Sequence, residues 1–114
     1  MAVAGIHPGE HLAEELEALH LSAAELARKM NVPTNRVTQI LNGTRAITGD
    51  TALRLAHFFG TSAQFWLHLQ SFYDLRLAEQ KAGKFIKGLP RLNGANSSRS
   101  EQAAEKSKKP LFRG

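Results

Sequence analysis

Thr34, Asn35, Thr38, Gln39 and Asn42 stand at i, i+1, i+4, i+5 and i+8, which gathers them on one face of a helix. All five carry a hydroxyl or a carboxamide. A carboxamide sets a donor beside an acceptor, the pair that matches the major-groove edge of adenine. Threonine adds a hydroxyl and a methyl that can meet the methyl of thymine. Arg36 lies at the margin of this face, with the charge for a phosphate or a guanine. Thr44 and Arg45 just beyond it, and Ser22 upstream, are candidate phosphate ligands. Taken alone, such a stripe is also what an ordinary solvated helix face looks like. Its meaning depends on the frame that carries it.

That frame is Glu25 to Gly43, ELARKMNVPTNRVTQILNG. Leu26, Ala27 and Met30 share one face of a short helix ending near Met30. Val37, Ile40 and Leu41 share one face of a second, predicted over Thr34 to Leu41. Ala27 supplies the small side chain that two steeply crossing helices need. Asn31 sits in the turn, where it tolerates a left-handed backbone. Pro33 starts the second helix, and Asn42-Gly43 ends it with residues that accept positive φ. This is the spacing of a DNA-binding helix-turn-helix, whose second helix enters the major groove of double-stranded DNA.

Three further helices are expected around the pair. Pro8 suits a first helical turn, and Leu12, Leu16 and Leu19 recur behind it, giving a helix over residues 8–19. Ser22-Ala-Ala-Glu25 fits a capping box for the helix that follows. Thr48 is placed to cap a fourth helix, with Asp50 near the positive end of its dipole, and Gly60 stops it. Thr61-Ser-Ala-Gln64 fits a second capping box, opening a fifth helix that runs to about Gln80 with Phe65, Trp66, Leu69, Phe72, Tyr73 and Leu77 in one broad stripe. That stripe has two uses, to close the core or to share itself with a second copy or a partner. No segment alternates like a half-buried strand. The expected class is all-α: a five-helix domain over residues 1–80, then a basic tail over 81–114 too poor in large apolar groups to order itself.

The net charge of +5 is a weaker sign of nucleic acid than it looks. Residues 84–114 hold eight Lys/Arg against two Asp/Glu, so the surplus belongs to the tail, and residues 1–83 are close to neutral. Local polarity is more informative. Arg28, Lys29, Arg36 and Arg45 lie between residues 26 and 49 with no acid among them, whereas residues 10–25 hold five Glu and no Lys or Arg. The tail is either an arm that adds affinity by counterion release or a segment that folds on a protein.

Other chemistries find little support. His7-Pro-Gly-Glu10-His11 spells an inverted zinc-protease string, but Pro8-Gly9 interrupts the continuous helix that such a site needs, so an N-terminal turn is the expectation. His57 and His68, on apolar helices, are expected to be packed or interface residues. No phosphate loop and no hydrolytic arrangement is present, and the absence of cysteine rules out disulfides and thiolate sites. No cofactor, metal or catalysis is expected. The start of the chain has neither the basic head nor the apolar run of a signal peptide, and no apolar run is long enough to span a bilayer, so no membrane association and a cytoplasmic location are expected.

Four blocks together resemble a family: IHPGEHLAEEL, ELARKMNVPTNRVTQILNG, RAITGDTALRLAHFFGTS and FWLHLQSFYDL, covering about residues 6–77. The resemblance is to the HigA antitoxins, also labelled VapI-like, within the XRE or lambda-repressor-like group. It implies a dimeric repressor of its own toxin–antitoxin operon that also blocks a RelE-like, HigB-type mRNA endonuclease. It implies two third helices in successive major grooves of a palindromic operator. By position it gives Thr34, Asn35, Arg36, Thr38, Gln39 and Asn42 the recognition role, and Phe65, Trp66, Phe72 and Tyr73 a packing and dimer role. The alternative is a stand-alone XRE regulator without a toxin, and a more distant one is a protein-binding module that no longer reads DNA. The basic tail has no counterpart in the family.

Overall fold

The computed structural model describes residues 6–92. Five helices follow in order: α1 (Pro8–Leu19), α2 (Ala23–Met30), α3 (Thr34–Leu41), α4 (Gly49–Phe59) and α5 (Ala63–Lys87), with no strand among the described residues. The expected flexible tail lies largely outside this range. The compact body that carries the site ends at Ala82.

Each early helix is bounded by its own local chemistry. Ser22 caps α2 through a complete capping box: its Oγ accepts from Glu25 N–H at 3.1 Å, and Glu25 Oε1 accepts from Ser22 N–H at 2.8 Å. Those bonds hold the Glu25 carboxyl below its ordinary pKa, led by the backbone bond to Ser22. Asn31 ends α2 with φ 59°, the left-handed turn its carboxamide tolerates. At the end of α3 the positive φ falls on Gly43 (φ 81°), while Asn42 keeps an ordinary right-handed conformation. His20 is the second non-glycine residue in the left-handed region, closing α1.

The core draws on every helix. Leu12 and Leu16 come from α1, Leu26, Ala27 and Met30 from α2, Val37 and Ile40 from α3, Ala52, Leu55 and Ala56 from α4, and Trp66 from α5; Ile47 joins from the α3–α4 loop. Helices α2 and α3 pack most closely, with α1 behind α3 and α4 behind α2. Leu19 and Leu53 fall outside this core and are exposed, so the apolar faces of α1 and α4 are narrower than their composition suggested.

Two expectations shift at the last helix. Ser62, not Thr61, caps α5, accepting from Phe65 N–H at 3.0 Å. Thr61 Oγ1 instead accepts the indole N–H of Trp66 at 2.9 Å, which satisfies the one polar atom of that buried ring. The helix also continues past Gln80 to Lys87. The intervening Lys, Ala, Phe and Ile keep it going, and the propensity loss at Gly83 (about 1 kcal/mol) does not end it. Gly88 and Pro90 follow the end. His57 of α4 and His68 of α5 are both exposed, so of the two places expected for them, packed or interface, neither is packed in the core.

Candidate nucleic-acid interface

The position of α3 is set from behind by the backbone. A Cβ on Gly9 would overlap the carbonyl oxygen of Ile40, so the absent side chain lets the first turn of α1 meet the last turn of α3 directly. His7 caps the same turn: its Nδ1 accepts from Gly9 N–H at 2.9 Å, and Pro8 follows at the first helical position. The imidazole is buried, lies edge-on to the Tyr73 ring with centroids 4.8 Å apart, and borders Gly43. The His7-Pro-Gly-Glu10-His11 string is thus a cap and a close approach, and no metal-binding cluster of His or acid occurs among the described residues.

Two long-range contacts fix the other sides. The Ile47 N–H in the loop after α3 is buried and donates to Gln70 Oε1 at 2.8 Å, and Gln70 Nε2 donates in turn to Asp74. From α4, Asp50 accepts from Arg36 at 2.6 Å and from Arg54 at 2.9 Å. These two guanidinium groups, Arg54 first, hold the Asp50 carboxyl below its ordinary pKa. Arg54 also donates to the carbonyl oxygens of Met30 at 2.7 Å and Asn31 at 3.4 Å, closing the C-terminus of α2 with a cation where the helix dipole favours one.

With Val37 and Ile40 fully buried, α3 turns Thr34, Asn35, Thr38, Gln39 and Asn42 outward. Thr34, Asn35 and Asn42 are exposed; Thr38 and Gln39 are half-buried. Thr38 Oγ1 leans back to the Asn35 carbonyl at 3.4 Å. Thr44 and Arg45 join the same side: Thr44 donates to the Gln39 carbonyl through both its N–H (2.9 Å) and its Oγ1 (3.2 Å), and Arg45 Nε donates to Gln39 Oε1 at 2.8 Å. Ser22 is exposed at the start of α2. Arg36 differs from the rest, because Asp50 draws it towards α4. The aromatic set divides. Trp66 is core, 1% exposed, and has no free surface for a partner; Phe65 and Phe72 are exposed, and Tyr73 is half-buried against His7. Sequence reading missed Gln70, Asp50 as an arginine clamp, and Arg54.

An all-α frame that projects one short polar helix, with basic residues beside it and its rear wholly buried, defines a helix-turn-helix DNA-binding domain of the lambda-repressor-like class. Comparison with known proteins agrees. The helix-turn-helix family model matches residues 12–66. Virulence-associated protein I of Dichelobacter nodosus is 51% identical over 76 residues, 66% of this chain and 70% of that protein. Among solved structures, an addiction module antidote protein of the HigA family from Coxiella burnetii is 57% identical, with TM-score 0.76 over 78% of this chain and 99% of its own. The Pseudomonas aeruginosa antitoxin HigA, solved with the higBA promoter, is 44% identical, with TM-score 0.73 over 76% of this chain and 97% of its own. The chain belongs to the HigA-type, VapI-like group of the XRE helix-turn-helix family.

Proposed function

We propose that the chain is a homodimeric antitoxin that represses its own toxin–antitoxin operon and neutralises a RelE-like, HigB-type mRNA endonuclease. The carrying observation is α3: Val37 and Ile40 are fully buried by the other helices, while Thr34, Asn35 and Asn42 on its polar side are exposed and Thr38 and Gln39 between them are half-buried. Two copies place α3 in successive major grooves of a palindromic operator. Thr34, Asn35, Thr38, Gln39 and Asn42 face base edges. Ser22, Thr44 and Arg45 meet the phosphates that flank them, and Arg36 takes a phosphate from the position Asp50 gives it. The second copy docks on α5, where Phe65, Phe72 and Leu75 remain open. The toxin partner is supported by the relatives named as antidote and antitoxin.

Gel-shift titration against the chain's own promoter tests the DNA half. The double variant Thr38→Ala, Gln39→Ala is expected to lose at least tenfold in specific affinity with its thermal melt unchanged. Operator binding unaltered by this variant would remove α3 from the interface. Co-expression with a neighbouring RelE-like reading frame tests the toxin half: a stable complex and relief of growth arrest are expected.

A further inference from the structure

We infer that Arg54 is a positioning residue for DNA binding: by keeping Asp50 neutralised, it lets Arg36 leave that carboxylate for a phosphate. This rests on the proposal that α3 enters the major groove with Arg36 on a phosphate at its edge.

Both arginines meet the same atom. Arg36 Nη1 donates to Asp50 Oδ2 at 2.6 Å, and Arg54 Nε donates to that oxygen at 2.9 Å. They are not held alike. Among the described residues, Asp50 is the one acceptor for the Arg36 side chain. Arg54 has three acceptors: Asp50, one turn earlier on α4, and the carbonyl oxygens of Met30 at 2.7 Å and Asn31 at 3.4 Å at the end of α2. Arg54 is therefore anchored to two elements, and it stays beside Asp50 when Arg36 exchanges one anion for another.

Charge sets what that exchange costs. A carboxylate and a DNA phosphate compete for the Arg36 guanidinium. Were Arg36 the only cation on Asp50, docking would leave a bare carboxylate beside a polyanion, where like charges repel. With Arg54 in place, the three side chains carry one net positive charge, and the Asp50–Arg54 pair left behind is neutral. Asp50 is ionised at neutral pH, since Arg54 and then Arg36 hold its carboxyl below the ordinary value. Its side chain is 56% exposed, so water screens these charges and the effect on affinity is a few-fold.

The test is fluorescence anisotropy of the full-length protein on its own promoter duplex at several salt concentrations, arranged as a double-mutant cycle. Arg36→Ala is expected to weaken binding and to lower the slope of log affinity against log salt by about 1. Arg54→Gln is expected to weaken binding about threefold when Arg36 is present and to change nothing once Arg36 is alanine. Adding Asp50→Asn to Arg54→Gln is expected to restore the lost affinity, because no carboxylate then competes for Arg36. Arg54→Lys, which keeps a cation beside Asp50, is expected to bind like the wild type. An Arg54→Gln loss of the same size in both backgrounds overturns the inference, since removal of a general positive charge or of the α2 contact acts whether or not Arg36 is there. So does an Arg54→Gln variant with wild-type affinity. If Arg36→Ala changes neither affinity nor slope, Arg36 is no DNA ligand and this inference falls alone, provided that Thr38→Ala, Gln39→Ala still loses binding. If that double variant also binds like the wild type, the DNA-reading proposal falls with it.

Discussion

The imidazole of His7 caps α1 through Nδ1, and that nitrogen accepts a hydrogen bond only while it carries no proton. Burial lowers the His7 pKa, outweighing the opposing fields of Asp74 and Glu10. The folded state therefore binds this proton less readily than the unfolded chain. The stability it contributes is complete above the ordinary histidine value of about 6.5 and is lost as pH falls below it. Thermal unfolding followed from about pH 7.5 to pH 5.5 should show a falling Tm. In His7→Asn, which retains a side-chain acceptor at the cap, the fall should be smaller over the same range. A second consequence at this scale concerns Asp50. Asp50→Asn removes the charge that Arg36 and Arg54 share at 2.6 and 2.9 Å. The pairs are exposed, so the melting temperature should barely move, whereas operator affinity should respond because Arg36 is released. A melt together with a gel-shift titration separates the two effects.

At the scale of elements, α3 is held by its buried Val37 and Ile40 and also by contacts to the backbone around them. Gly9 touches the Ile40 carbonyl, and Gln70 of α5 accepts the Ile47 N–H in the loop after α3. Gly9→Ala forces a Cβ into that carbonyl and should cost about 1–3 kcal/mol, read from chemical denaturation. Gln70→Leu leaves a buried N–H without a partner, at a similar cost of about 1–3 kcal/mol. Both contacts explain where the sequence was readable and where it was not. Helices α1 to α4 announce themselves because each carries a local boundary signal: Pro8, the Ser22–Glu25 box, Pro33, Gly60. Gln70 looks like one more polar residue, since its partner is 23 positions away. Thr61, with Gln64 three residues on, is the better cap candidate in the sequence, but its hydroxyl accepts the indole N–H of Trp66 five residues on, and Ser62 caps α5 instead. The outward set on α3 was legible because Val37 and Ile40 fix the rotation of that helix. The Arg45–Gln39 bond was not, because it depends on how the loop turns back.

Seen as a whole molecule, the protein shows an asymmetry along α5. One side carries Trp66 and Gln70 into the core, and another leaves Phe72 66% and Leu75 62% exposed. A single stripe was expected, but a helix of this length has room for two. Phe72→Glu places a charge on the open side without touching the core. Light scattering should then report a monomer with an unchanged melt, and the loss of paired half-sites should lower operator affinity by at least tenfold. Among the described residues no helix is long and apolar enough to cross a membrane.

The meeting of Gly9 with the Ile40 carbonyl has a consequence for how such a protein changes over time. Since α3 is seated by its main chain, by inward Val37 and Ile40 and by the Arg36–Asp50 pair, its exposed Thr34, Asn35 and Asn42 carry no share of those contacts. They are free to be rewritten. A copy of this chain could acquire a new operator through exchanges at Thr34, Asn35 and Asn42 without renegotiating its fold, provided that residue 9 stays glycine.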